Sequence, residues 1–518
     1  MDRGMPIHWG ISILFGTLVV LLPQDMKRGG AQSRDTELNR LQQQVEELRR
    51  QDIERQRQID MLQRKIEQLQ TPPIPVTPAE PPASALDKAI QGLQSTPAQP
   101  QSPTRQPATP PDLLSQRVGG ARLRLIDISA DLLAAAGGSS KNDDHVQNLQ
   151  AGAHDPNRNG FTLQQLELSF LGAVDPYFTG EAHVIFSINP EGETVTEIEE
   201  AFATTQNLPY GLEVETGLSF TEFGLINPTH PHAWDWIDQP VINSRTFGAD
   251  GMRQIGVRVG WLAPLPWFSQ FHVSVQNANG ETMPSFNNAF EVGGGHGHGG
   301  GEAEAEEVVG QRPLVERNIN GPEDLVYLIR WENSWDLHPT LTTKLGLSSL
   351  FGPNASGPDG RTIIAGTDLK MTWRAAHHFR GWPFLKWQTE LIWRHYKADD
   401  FSAAEEEAHG PESLASDTLT DWGVYSQLLY GFRYRWAAGL RVEYADARGP
   451  NVETPRDQDP FRDQRFRMSP LIAFHPTEFS RIRLQYNYDW ADHLDGHDAH
   501  SGWLGLEVLF GAHPAHKY

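Results

Sequence analysis

Histidines and carboxylates gather in the long loops of this chain, with His145 and His154 in the first and His409 in AEEEAHGPE. GGGHGHGGGEAEAEE holds His296, His298, Glu302 and Glu304; NPTHPHAWDWIDQP holds His230 and His232; DHLDGHDAH holds His493, His497 and His500. Imidazole with carboxylate is a donor set for zinc, copper or nickel, and a glycine-rich setting lets the backbone wrap around an ion. Loops of this kind bind weakly and exchange quickly, so the expected metal is transient zinc or another divalent cation, with no resident cofactor. The same compositions also describe a solvated acidic loop, and for His296 and His298 the two readings stand side by side. Cysteine is absent, which excludes thiolate metal sites and disulfide scaffolds. No Ser-His-Asp set, phosphate-cradling glycine loop or close carboxylate pair in a cleft is evident, so no enzyme is expected.

A second set of charges repeats with period two. From Arg481 to Trp490, Ile482, Leu484, Tyr486, Tyr488 and Trp490 face one way, while Arg481, Arg483, Gln485, Asn487 and Asp489 face the other. Glu213 and Glu215 alternate with Leu212 and Val214, and Arg258 sits between Val257 and Val259. With Lys386, Glu390, Arg441 and Glu443 these make one polar face of mixed sign. Opposed signs across a lumen set up a transverse field that tunes which ions pass. No ladder of one sign is visible, which makes an anion- or sugar-specific pore the minor reading.

The elements that must position these residues are strands. From about Ala121 onwards, alternation of the half-buried kind yields about sixteen of them, an even number as a closed antiparallel barrel requires. The first candidate runs from Ala121 to Leu133 and alternates imperfectly. Short turns (DPY, NLPYG, APLPW, LHPT, HPTE) alternate with longer polar loops. Tyr177, Phe178, Tyr210, Trp267, Phe268, Phe379, Trp382, Trp436 and Phe479 lie beside the short turns, where an interfacial girdle belongs. A mean hydropathy of −0.49 excludes a multi-span helical protein but not a barrel, whose inward positions are polar. In HPHAWDW, Pro231 between two histidines and the tryptophans Trp234 and Trp236 predict an ordered loop folding into the lumen, with plain packing against the wall as the alternative. The formal charge of −23 disfavours nucleic acid and favours cations near the loops.

Ahead of the barrel segment 112–518 the composition changes three times. Residues 1–31 read as a signal peptide: Arg3, then an apolar run from Ile11 to Leu22, then Gly29 and Ala31 at a small-x-small site. Residues 36–70 carry an a/d seam (Leu38, Leu41, Val45, Leu48, Ile59, Leu62, Ile66, Leu69) that predicts a coiled-coil stalk. Residues 71–111 are a proline-rich linker. The expected partners are outer-membrane lipid, further copies of this chain in a dimer or trimer, and the cell wall reached by a periplasmic stalk.

Three segments carry a family likeness. GFTLQQLELSFLGAVDPYFTGEAHVIF, EEAFATTQNLPYGLEVETGLSFTEFGLINPTHPHAWDWIDQP and RQIGVRVGWLAPLPWF resemble the bacterial outer-membrane proteins labelled zinc-regulated TonB-dependent receptors. The resemblance implies an outer-membrane, porin-like barrel with a link to metal uptake. It departs from such receptors in having the stalk and linker where a globular plug would precede the barrel. The expectation is therefore diffusion rather than energised transport, with a structural envelope anchor as the competing class.

Overall fold

The structure, a computed structural model, describes residues 115–118, 121–124, 126–173, 175–189, 192–287, 307–315, 317–402 and 413–511. The expected signal peptide, stalk and linker lie outside these residues, as do His296, His298, Glu302 and Glu304.

Sixteen strands close into one antiparallel barrel. In chain order they are β1 (Asp127–Ser139), β2 (Gly160–Ala173), β3 (Phe178–Ile188), β4 (Thr194–Thr205), β5 (Leu212–Phe220), β6 (Arg253–Leu262), β7 (Phe268–Asn277) and β8 (Leu325–His338). They continue with β9 (Leu341–Pro353), β10 (Arg361–Phe379), β11 (Trp382–Ala398), β12 (Asp417–Arg433), β13 (Trp436–Arg448), β14 (Arg465–Thr477), β15 (Ser480–Ala491) and β16 (Asp498–Gly511). Each strand pairs with its sequence neighbours, and β16 returns to β1 through Ser501↔Ser139 to Gly511↔Ser129. Closure leaves no edge strand with unpaired backbone groups, the condition for standing in hydrocarbon.

The burial pattern is that of a water-soluble protein turned inside out. On β15, Leu484 is 57% exposed while Arg483 and Gln485 on either side are 1% exposed. Leu484 lies in a row with Ile472 on β14 and Leu504 on β16, both exposed. The interior holds Arg330, Arg441, Arg467 and Arg483, all fully buried. Aliphatic side chains on the outside and guanidiniums on the inside make sense only if the outer solvent is lipid.

Two sequence expectations move. The first strand is Asp127–Ser139 rather than 121–133, and 121–124 pair instead with 115–118 in a separate hairpin. The run LLAAAGGS offers almost no contrast between faces, so its membership of β1 leaves no periodic trace. Trp382 points inward instead of joining the girdle: it is 4% exposed and packs with Trp236, Phe384 and Leu471. Tyr177, Tyr210 and Phe379 are exposed beside the short turns as a girdle requires.

The same alanine-glycine run matters at the seam. A Cβ on Gly137 would run into the carbonyl of Gly502 and the ring of Trp503, which is buried against Val146 and Ile237. Gly137→Leu is therefore expected to disrupt β1–β16 closure, at about 1–3 kcal/mol for the overpacking alone. Loss of the heat-modifiable, fast-migrating form on a denaturing gel checks this; wild-type migration and melting would contradict it.

Candidate functional site

The lumen is occupied by the chain's own loop between β5 and β6, residues 221–252. Pro228, Pro231 and Pro240 cannot donate to a ladder and end the strand pattern. A 3-10 turn, Pro231–Ala233, is followed by helix α1 (Val241–Phe247), every residue of which is buried. Gly248 ends the helix at φ 87°, a left-handed value suited to glycine. At the long-loop end, Phe223, Ile242, Phe247 and Met252 meet Met283, Phe286 and the strand residues Val326, Leu350 and Ile364 in an apolar core inside the barrel.

Deeper in, the loop is held by charge. Asp238 is its anchor: Oδ1 accepts from Arg441 at 2.5 Å and from Gln485 at 2.7 Å, and Oδ2 from Asn487 at 2.9 Å and Arg467 at 3.2 Å. Burial alone would raise its pKa, but the Arg441 and Arg467 guanidiniums hold the carboxyl well below the usual range. Trp236 donates its indole N–H to the Ser469 carbonyl at 2.9 Å. Buried dipoles of this kind must be paired, and here the wall pairs them.

Most of the residues expected to line a lumen are found holding this loop. Arg441 also donates to the Asp238 carbonyl at 2.9 Å, and Glu443 accepts the Val241 N–H at 2.7 Å. Arg481 donates to the His232 carbonyl at 2.8 Å, and Arg483 to the Trp236 carbonyl at 2.7 Å. Glu390 accepts the Leu225 N–H at 2.5 Å, and Lys386 pairs with Asp235 at 3.4 Å. Glu213, Glu215 and Arg258 gather at the start of the loop around Glu222, with Arg258 2.5 Å from Glu215 and 2.9 Å from Glu222.

The metal candidates separate into two kinds of environment. His230 and His232 meet inside the barrel, rings stacked at 5.5 Å, together with Asp131, Glu167, His183, Glu199 and Glu200 from β1 to β4. The Nδ1 atoms of His183 and His232 each stand 3.0 Å from Glu167, and His230 lies between Glu199 at 2.7 Å and Glu200 at 2.8 Å. Burial would lower the His230 pKa, but Glu199 and Glu167 raise it well above its ordinary value. The pocket thus demands positive charge. His493, His497 and His500 do not converge: His493 bonds Asp463 at 2.8 Å, His497 stacks on Trp490 and His500 bonds the Tyr486 hydroxyl at 2.6 Å.

A β-bulge builds the inner cluster. His183 pairs with Glu200 and Val184 with Ile198, leaving Glu199 as the extra residue, so two successive carboxylates turn inward. The doublet Glu199-Glu200 within an otherwise alternating strand is the trace that was there to be read. Glu167, His183 and Asp131 left none, because a lone inward charge on a strand looks the same whether it holds a loop, an ion or water.

No family model matches the chain. A protein of Aquifex aeolicus (strain VF5), described only as uncharacterized, is 28% identical over 420 residues, 76% of this chain and 80% of its own length. Among solved structures, the outer membrane channel DcaP of Acinetobacter baumannii superposes with a TM-score of 0.47 at 10% identity, over 74% of this chain and 97% of its own. OprB of Pseudomonas putida gives 0.43 at 11%, over 74% and 94%. The receptor label carries no support from a family match and stays a likeness of three segments.

Proposed function

We propose that the protein is an outer-membrane channel of narrowed bore, through which small hydrophilic solutes diffuse with a bias towards cations. The observation that carries this reading is the charged interior of a closed barrel whose outer wall is apolar, constricted by residues 221–252. The net charge of −23 and the acidic group around Glu213, Glu215 and Glu222 support the cation bias. Liposomes carrying the purified protein are expected to swell in small neutral solutes and to exclude larger ones. Reversal potentials in a salt gradient should take the sign of cation preference. An anion-preferring potential would remove the cation bias and leave a general or anion pore.

A second reading has one observation in its favour. The loop is so fully bonded that the barrel would be sealed and serve as an anchor for the segment before it. Swelling equal to that of protein-free liposomes would select this reading.

A further inference from the structure

We propose that Glu167, His183 and His230, with Asp131 and His232 beside them, form a site for one divalent transition-metal ion that fastens the lumen loop to the barrel wall. Two donor triads share Glu167: Glu167–His183–His230 and Asp131–Glu167–His232, with the ligand atoms of each within 4.8 Å of one another. Imidazole and carboxylate together suit zinc, nickel or copper. Bonds of about 2.0–2.1 Å place tetrahedral ligand atoms roughly 3.4 Å apart. The His183–Glu167 and His232–Glu167 separations of 3.0 Å, and His230–Glu167 of 3.4 Å, need only small shifts to admit an ion.

Charge and hydrogen bonding point the same way. Asp131, Glu167, Glu199 and Glu200 are all buried, and the nearby guanidiniums of Arg481 and Arg483 are already engaged by Glu507 and by loop carbonyls. No donor meets the oxygens of Asp131 or Glu199 at hydrogen-bonding angles, although the two side chains are 2% and 1% exposed. They nonetheless aim into the cluster, Asp131 lying 3.3 Å from His232 Nδ1 and Glu199 2.7 Å from His230 Nδ1. Buried carboxylates that no donor meets squarely are costly, and a cation shared with these imidazoles would satisfy them.

The cluster also has the outer layer of a built site. Glu167 is oriented by the Ser169 hydroxyl at 2.8 Å and the Gln165 amide at 3.3 Å. Glu200 bonds Nε2 of His230 and accepts the Phe220 N–H, which leaves Nδ1 of the same ring turned towards Glu199 and Glu167. A carboxylate behind an imidazole that faces an ion is the common arrangement for fixing tautomer and ring direction. Three ligands come from β1, β2 and β3 and two from the loop, so occupancy joins wall and loop. Only its consequence for conductance rests on the channel reading above.

The test uses the full-length protein, stripped with chelator in detergent and titrated with Zn2+ against a chromophoric competitor. One equivalent is expected to bind. His183→Ala and Glu167→Gln are each expected to weaken it by about 100-fold or more, beyond the 10–100-fold that a change behind a ligand costs. Absence of stoichiometric binding overturns the site, as does binding that both variants retain. Where a variant fails to fold, Co2+ decides on the native protein: a visible spectrum of bound nitrogen and oxygen ligands supports the site, and the spectrum of aqueous Co2+ overturns it. A conducting channel that binds no metal would remove this site and leave the proposed function, while a metal-binding barrel with no conductance would do the reverse.

Discussion

Asp238→Ala is expected to raise single-channel conductance several-fold and to lower stability by about 3–5 kcal/mol, the cost of stripping a buried ion pair of one partner. The aspartate satisfies two arginines and two amides from β13, β14 and β15 at once. Without it, Arg441 loses its carboxylate partner on the loop and keeps Glu443 and the backbone carbonyl of residue 238, while Arg467 keeps Asp489. The strands remain held by their own ladders, so the loop, which loses four of its bonds to that wall, is the part that yields. Asp238→Asn keeps the shape and loses the charge, and its effect should fall between wild type and alanine. Bilayer recordings paired with thermal melts check both halves; unchanged conductance with a lowered melting temperature would mean that the loop does not define the bore.

The second large effect concerns the outer wall. Leu484→Arg places a guanidinium in the apolar row Ile472–Leu484–Leu504 and should cost about 2–4 kcal/mol, as charges on the lipid face near the midplane do. Glu478→Arg, in the two-residue turn between β14 and β15, should be close to neutral. Unfolding in urea from lipid vesicles measures the pair. Equal stabilities would mean that this row does not face hydrocarbon.

How much of this was visible in the residues depends on what each one contrasts with. β15 was legible throughout, because every outward residue from Ile482 to Trp490 is apolar and every inward one polar. β1 was not, since alanine and glycine serve either face equally. A tryptophan beside a short turn, as Trp382 is, predicts an outward side chain; the partner that draws it in, Trp236, lies far away in sequence. The same distance hid the loop's anchoring. Val241 meets Glu443 across 202 residues and Asn487 reaches Asp238 across 249, pairings that no local pattern records. That HPHAWDW would fold inward was readable from its proline and tryptophans, but the carboxylates that receive its histidines were not. The arginines read as lumen charges do face inward; that Arg441, Arg481 and Arg483 bond loop carbonyls and Arg258 the loop carboxylate of Glu222 is a property of the folded lumen alone.

The most direct measurement is single-channel recording of the purified, folded protein in planar bilayers, alongside Asp238→Ala. Wild type is expected to give small, discrete steps with a cation-preferring reversal potential, and the variant larger ones. A membrane that shows no steps with either protein, at protein levels where a porin of known conductance inserts readily, would contradict the channel.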